Sequence, residues 1–233
     1  MCLITFLIPI YNEIRTAENA IKEVVNLDCP KKQIIIIDNN SNDGTKEIIK
    51  KFKDLDEVTI ILKDKNLGFG DSIKKGLELS KGEFIYIQYA DLEYNIKGFS
   101  LMFDKIVETK TDFVFGERYK KKNLKDIIFS IKDRPAFIGT LITTKLINIF
   151  YKKKFNDIIG AKLYKTSKIK EINVSANGAG FDFELISKMC KKKYNIETVM
   201  IPYKPRTYSE EKKIKFYHMF NAIYEILKVK FFN

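Results

Sequence analysis

Apolar residues fall along the first half of the chain in short runs separated by stretches of helical period. Residues 3–8 read as a strand, and Thr16 as the N-cap of a helix through Leu27 that buries Ala20, Ile21, Val24 and Val25. Residues 33–37 form an unbroken apolar run, the mark of a central strand covered on both faces. Asp43-Gly44-Thr45 then opens a helix with Ile48, Ile49 and Phe52 on one side. Residues 58–62 predict a strand, 71–80 a helix and 84–88 another strand. Such alternation predicts βαβ units and a mainly parallel sheet, an α/β fold flanked by helices. The second half is less regular. It predicts a helix over 96–108, a strand over 112–115, a helix over 183–193, an extended segment over 196–203 and a basic amphipathic helix over 210–231. Residues 124–151 read as two amphipathic helices divided near Arg134 and Pro135, because proline disfavours helical geometry in the residue before it. No repeat, low-complexity linker or boundary interrupts residues 1–233, so a single domain is expected.

Composition narrows the classes. With 45% hydrophobic residues the chain can bury a large core, which excludes global disorder. A single histidine, His218, argues against a histidine-based zinc site or a Ser-His-Asp triad. Cys2, Cys29 and Cys190 lack metal-ligand spacing and read as free thiols of a reducing compartment. The segment 1–10 has no basic start, so no cleaved signal is expected. The apolar stretch 135–151 is broken by Lys145 and falls short of the roughly 20 residues of a spanning helix.

The net charge of +12 is unevenly distributed. Residues 1–117 hold 16 Lys/Arg against 20 Asp/Glu, a balance of −4; residues 118–233 hold 26 against 10, a balance of +16. The second half therefore suits an anionic partner, or a lysine-rich surface kept for solubility. Arginine occurs only at positions 15, 118, 134 and 206, so each is a sharper pointer to a bound anion than any lysine.

Polar clusters close several predicted strands. The first ends in Pro9-Ile10-Tyr11-Asn12-Glu13, the second in Asp38-Asn39-Asn40-Ser41-Asn42-Asp43-Gly44-Thr45, and residues 84–88 lead into Tyr89-Ala90-Asp91-Leu92-Glu93-Tyr94. Open α/β sheets bind ligands at this carboxyl edge. Asn66-Leu67-Gly68-Phe69-Gly70 is not a dinucleotide fingerprint, since Ile73 stands where the third glycine belongs, and no phosphate-binding G-x-x-x-x-G-K-S/T run occurs. Any one cluster reads more readily as an ordinary Asn/Asp/Gly turn; the set, in this order, does not.

In these motifs, together with Gly116-Glu117-Arg118, Asp157 before Gly160, Gly180-Phe181 and Pro205-Arg206-Thr207-Tyr208, the chain resembles family 2 glycosyltransferases over roughly residues 3–215. Within them it is most similar to the dolichyl- or polyprenyl-phosphate sugar transferases. The resemblance implies a GT-A fold with a nucleotide-sugar-binding half, 1–95, and an acceptor-facing half, 96–233. It implies inverting transfer of a sugar from a GDP- or UDP-sugar to a lipid phosphate, or to a glycan hydroxyl in other members, or else a catalytically weak sugar-nucleotide binder.

The resemblance further implies the residue roles. Pro9, Tyr11, Asn12, Glu13, Ile37, Asp38, Asn39, Ser41, Asp43, Asn66, Gly68 and Ala90 would hold the nucleotide sugar, although Asp43 serves equally as a helix N-cap. Asp91 and Glu93 would hold Mg²⁺ or Mn²⁺, hard cations suited to carboxylate oxygens and to the charge that builds on a diphosphate leaving group. Tyr89 departs from the family's Asp-x-Asp, removing one carboxylate. Arg118, Arg134, Lys162 and Arg206 would face the acceptor phosphate. Asp91, Arg118, Arg134 and Asp157 form the expected catalytic set, with Asp157 orienting a cation.

Residues 124–151 and 212–231 mix Ile, Leu, Phe and Tyr with lysine, the composition of interfacial helices, or of helices packed in a core or dimer. These patterns predict a cytoplasmic protein peripheral to the inner membrane face, with a small membrane partner protein or a second copy as further partners. The acidic clusters of the first half argue against nucleic acid.

Overall fold

Ile4–Ile10 (β1) lies at the middle of a seven-stranded sheet formed by the described residues, 3–29, 31–119, 137–206 and 218–232 of a computed structural model. Lys32–Asp38 (β2) and then Val58–Leu62 (β3) extend the sheet on one side, all parallel. Phe84–Ile87 (β4) pairs in parallel with the other side of β1. Beyond it come Lys162–Lys165 (β6), antiparallel to both neighbours, then Phe113–Glu117 (β5) and Ile196–Met200 (β7), giving the order β3-β2-β1-β4-β6-β5-β7. The order turns between β1 and β4, so a crevice opens beyond their carboxyl ends.

Helices Ala17–Val25 (α1), Thr45–Lys50 (α2), Phe69–Leu79 (α3) and Lys97–Thr109 (α4) occur where the apolar spacing predicts them. Phe137–Tyr151 (α5), Thr166–Lys170 (α6), Phe181–Lys191 (α7) and His218–Phe231 (α8) follow. The first of the two helices predicted over 124–151 and the start of the one predicted over 210–231 lie outside the described residues. One face of the sheet packs Phe6, Ile8 and Tyr86 against α1 and α4; the other packs Leu7, Ile35, Ile87 and Tyr164 against α3 and α7. Two-sided burial explains why β2 is an unbroken run of isoleucines. No helix among the described residues is long and apolar enough to cross a membrane.

Candidate active site

The loops after β1 and β2 are sewn together by their own polar side chains. The Asn12 N–H donates to Ser41 Oγ at 2.9 Å, and Asn12 Oδ1 accepts the Asn42 N–H at 2.9 Å. Asp43 accepts Thr45 N–H through Oδ1 and Ile14 N–H through Oδ2, both at 3.0 Å. It thus caps α2 and clips the β1 loop at once; burial would raise its carboxyl, but these donors hold it below the usual value. Asp38 is fully buried at the strand end, with Oδ2 accepting Ser41 N–H at 3.0 Å and Oδ1 sealed without a hydrogen-bond partner among the described residues. Pro9 is half-buried on β1 and Tyr11 exposed beyond it, whereas the Ile37 side chain is wholly in the core and offers the crevice only its backbone.

Asn39 Nδ2 donates to Asn66 Oδ1 at 2.6 Å, and Asn39 Oδ1 accepts from Lys63 Nζ at 2.7 Å. Lys63 also pairs with Asp71 at 2.5 Å. Lys63 escapes sequence reasoning because one lysine among so many carries no signal. Gly68 turns the chain at φ 98°, and a side chain there would meet the Asn177 carbonyl oxygen at 2.5 Å, so the turn requires glycine.

Ala90 is buried at the end of β4, and Asp91 follows at the crevice. Asp91 Oδ1 accepts the Glu93 N–H at 3.1 Å across Leu92, whose φ is 57°. Burial, and next the Glu93 carboxylate, push the Asp91 carboxyl up to about 6. A carboxylate held among other carboxylates is a fitting ligand for a divalent cation. Glu93, expected as the second metal ligand, is committed elsewhere. Its Oε2 accepts from Tyr203 Oη at 3.1 Å and its Oε1 from the Arg206 N–H at 2.9 Å. Among the described residues no group of three or more His, Cys, Asp or Glu forms a metal cluster. The Asp91 carboxylate suits a hard divalent cation such as Mg²⁺ or Mn²⁺.

Arg206 is held by the loops after β1 and β4. Its Nη2 lies 2.7 Å from Glu13 Oε2 and 3.1 Å from Thr16 Oγ1, and its Nε donates to the Asp91 carbonyl at 3.0 Å. Tyr203 and Arg206 thus strap the loops after β1 and β4. Where sequence reasoning expects an Asp, Tyr89 stacks on Phe69 with centroids 5.8 Å apart, and its hydroxyl is buried without a hydrogen-bond partner among the described residues.

Arg118 Nε donates to Asp157 Oδ2 at 2.7 Å and Nη2 to Asp157 Oδ1 at 3.0 Å. The approach depends on Gly160, where a side chain would overlap the Gly116 carbonyl oxygen. Burial opposes the Asp157 charge, but Arg118 holds its carboxyl below the usual range. Lys162, expected at the acceptor phosphate, is wholly buried on β6 and donates from Nζ to the Gly160 carbonyl. Burial lowers its pKa while Asp182 opposes the shift. Arg134 lies outside the described residues.

Asp182, in the first turn of α7, has no place in the expected site. Its Oδ1 is sealed without a hydrogen-bond partner among the described residues, and burial raises its carboxyl, with Lys162 partly offsetting. The signal lay beside the Gly180-Phe181 pair, but an acid in a first turn also reads as a dipole partner.

A seven-stranded α/β sheet with carboxylates gathered at its switch point is the frame of a nucleotide-sugar enzyme class, and residues 5–173 match the family model Glycosyl transferase family 2. The chain belongs to that family. Among sequence relatives, it is 24% identical over 181 residues to the poly-beta-1,6-N-acetyl-D-glucosamine synthase of Staphylococcus epidermidis, covering 72% of this chain and 41% of the relative. It is 25% identical over 203 residues to the cholesterol galactosyltransferase of Borreliella burgdorferi, covering 81% and 56%. The chain thus spans about two-fifths to just over half the length of these relatives. The fold, GT-A, matches glucosyl-3-phosphoglycerate synthase from Mycobacterium tuberculosis, solved with Mn²⁺, UDP and glucosyl-3-phosphoglycerate, at a TM-score of 0.68 and 13% identity over 98% of this chain and 80% of that one. It also matches a mannosyltransferase from Pyrobaculum calidifontis in complex with GDP-Man and Mn²⁺, at 0.57 and 16% over 84% and 54%.

Proposed function

We propose that this domain transfers a sugar, with inversion, from a nucleoside-diphosphate sugar bound at the β1–β4 crevice. The observation that supports this reading is Asp91, a carboxylate pushed up to about 6 by burial and Glu93 at the switch point of the sheet. Asn39, Lys63 and Asn66 line the nucleotide end, and Asp91 holds Mg²⁺ or Mn²⁺. When bound, the cation supplies positive charge to the departing diphosphate. Arg206 and Glu93 hold the loops that frame this end, so the donor is oriented before transfer.

The acceptor on this reading is a lipid phosphate at the cytoplasmic face of a membrane, already ionised and able to attack without a base. Arg118 would face it with its fork fixed by Asp157, and Arg134 is the further arginine assigned to it. Asp182 favours a second reading. Burial raises the Asp182 carboxyl, a shift that makes a carboxylate a stronger base towards an attacking hydroxyl.

The test is a transfer assay with GDP- and UDP-sugars against short polyprenyl phosphates and against glycan or sterol hydroxyls. Transfer to lipid phosphate that survives Asp182→Asn supports the first reading; transfer to hydroxyls that this substitution abolishes supports the second. Failure to bind any nucleoside diphosphate would overturn both.

A further inference from the structure

Helix α5 is apolar nearly all round, yet it is not enclosed. Thr140, Thr143, Thr144 and Ile147 face the protein, while Ile142 and Ile149 are 37% and 61% exposed with Lys145 between them. A helix of that composition is expected to be covered on every side. Helix α8 repeats the pattern. Ala222, Ile226 and Val229 point inward, while Phe220, Tyr224 and Phe231 are 60%, 62% and 64% exposed at four- and seven-residue spacing.

The two helices run side by side in the same direction, since Gly139 backs onto Met219 near their starts and the Phe150 ring meets Phe231 at 5.9 Å near their ends. With the inward faces fixed as above, both outer stripes point the same way and form one surface. Its charges are of one sign. Helix α5 has no acidic residue, and the lone acid of α8, Glu225, is turned to Gly180 and Lys228. Lys145, Lys152 and Lys154 stand exposed on or beside the surface. The start of α5 lies against the candidate site through its inner face, where Phe137 meets the edge of Tyr119 at 5.0 Å and Thr140 accepts from Arg118 Nη2 at 3.4 Å.

We propose that the joined outer faces of α5 and α8 dock this domain on an anionic lipid bilayer, aromatic rings entering the headgroup layer and lysines meeting lipid phosphates. The inference deepens the lipid-side reading above, and rests on it for the purpose of docking. A single-signed basic rim around Phe, Tyr and Ile complements an anionic bilayer. It disfavours a second copy of the same surface, which would oppose lysine to lysine. Docked this way, α5 stands between the bilayer and Arg118, which touches the inner face of the helix through Thr140.

The experiment is flotation of the 233-residue chain with vesicles of phosphatidylcholine alone and with about one-third phosphatidylglycerol, at low and high salt. Nucleoside-diphosphate binding and light-scattering mass are measured in parallel. The expected result is capture by the anionic vesicles only, weakened by salt. Replacing Phe220→Ser, Tyr224→Ser and Phe231→Ser together, or Lys145→Glu, Lys152→Glu and Lys154→Glu together, should reduce capture by roughly tenfold or more, with nucleotide binding unchanged. No capture at low salt overturns the proposal, as does capture that both sets of substitutions leave intact. A wild-type dimer that vesicles ignore and that the Phe/Tyr substitutions split also overturns it, assigning the surface to a second copy. Loss of nucleotide binding in the wild type would sink the transferase reading while leaving the flotation result to judge the docking.

Discussion

The Arg118 guanidinium grips both oxygens of Asp157, Nε to Oδ2 at 2.7 Å and Nη2 to Oδ1 at 3.0 Å, with neither side chain more than 8% exposed. The fork is therefore already paired, with its direction set before any ligand arrives.

Breaking that pair by Asp157→Ala leaves a buried cation uncompensated, which costs about 3–5 kcal/mol. The pH dependence has a definite sign. The folded carboxyl is depressed, so its contribution is present above the unfolded value of about 3.9 and is lost as pH falls through the folded value. Urea denaturation at pH 7 and at pH 3 should show the wild type and Asp157→Ala far apart at pH 7 and closer at pH 3.

Asp91→Asn should remove the rise in melting temperature that Mn²⁺ gives together with UDP or GDP, and lower turnover by at least about 100-fold. Calorimetric titration of the nucleotide with and without chelator checks it. A cation response that survives the substitution would move the metal elsewhere.

Glu93→Ala should behave differently from Asp91→Asn. It leaves the Tyr203 hydroxyl and the Arg206 N–H without their acceptor, a loss of about 2–4 kcal/mol in stability. Metal dependence should persist in the folded fraction. Thermal melts and a Mn²⁺ titration of turnover separate the two roles.

Asp182→Asn should lower transfer to a hydroxyl without lowering stability at neutral pH. The folded carboxyl is raised, so its contribution is full below about pH 3.9 and is lost as pH rises through the folded value. Ionising this buried carboxyl costs the folded state more than the unfolded chain, and the amide removes that cost. A melting temperature equal to or above wild type, with activity reduced, is the expected pair of measurements.

The parallel half of the sheet was legible because each strand there is a plain apolar run closed by a polar cluster. The strand over 58–62 appears at its predicted bounds, and β2 extends its prediction by one residue at each end. Strand β6 was not legible. Four residues, Lys-Leu-Tyr-Lys, carry no apolar run, and nothing local announces that Lys162 is buried. Asp91 could be read from its place after a strand. The commitments of Glu93 and Arg206 could not, because they arise from a strap that returns more than a hundred residues later. Asp157 was expected to orient a cation, and its partner here is Arg118.

The antiparallel β6 also governs when the protein can finish folding. Strand β4 is complete at Ile87, but its outer neighbour begins only at Lys162, after β5 has already been made. During synthesis the edge of β4 therefore waits, open, through α4, β5 and α5, and pairing across so long a gap is intrinsically slow. A chain cut between residues 95 and 161 would keep Asp38 and Asp91 but expose that edge, a template for aggregation. The N-terminal half is thus not a detachable module: its central sheet is sealed by a strand from the C-terminal half.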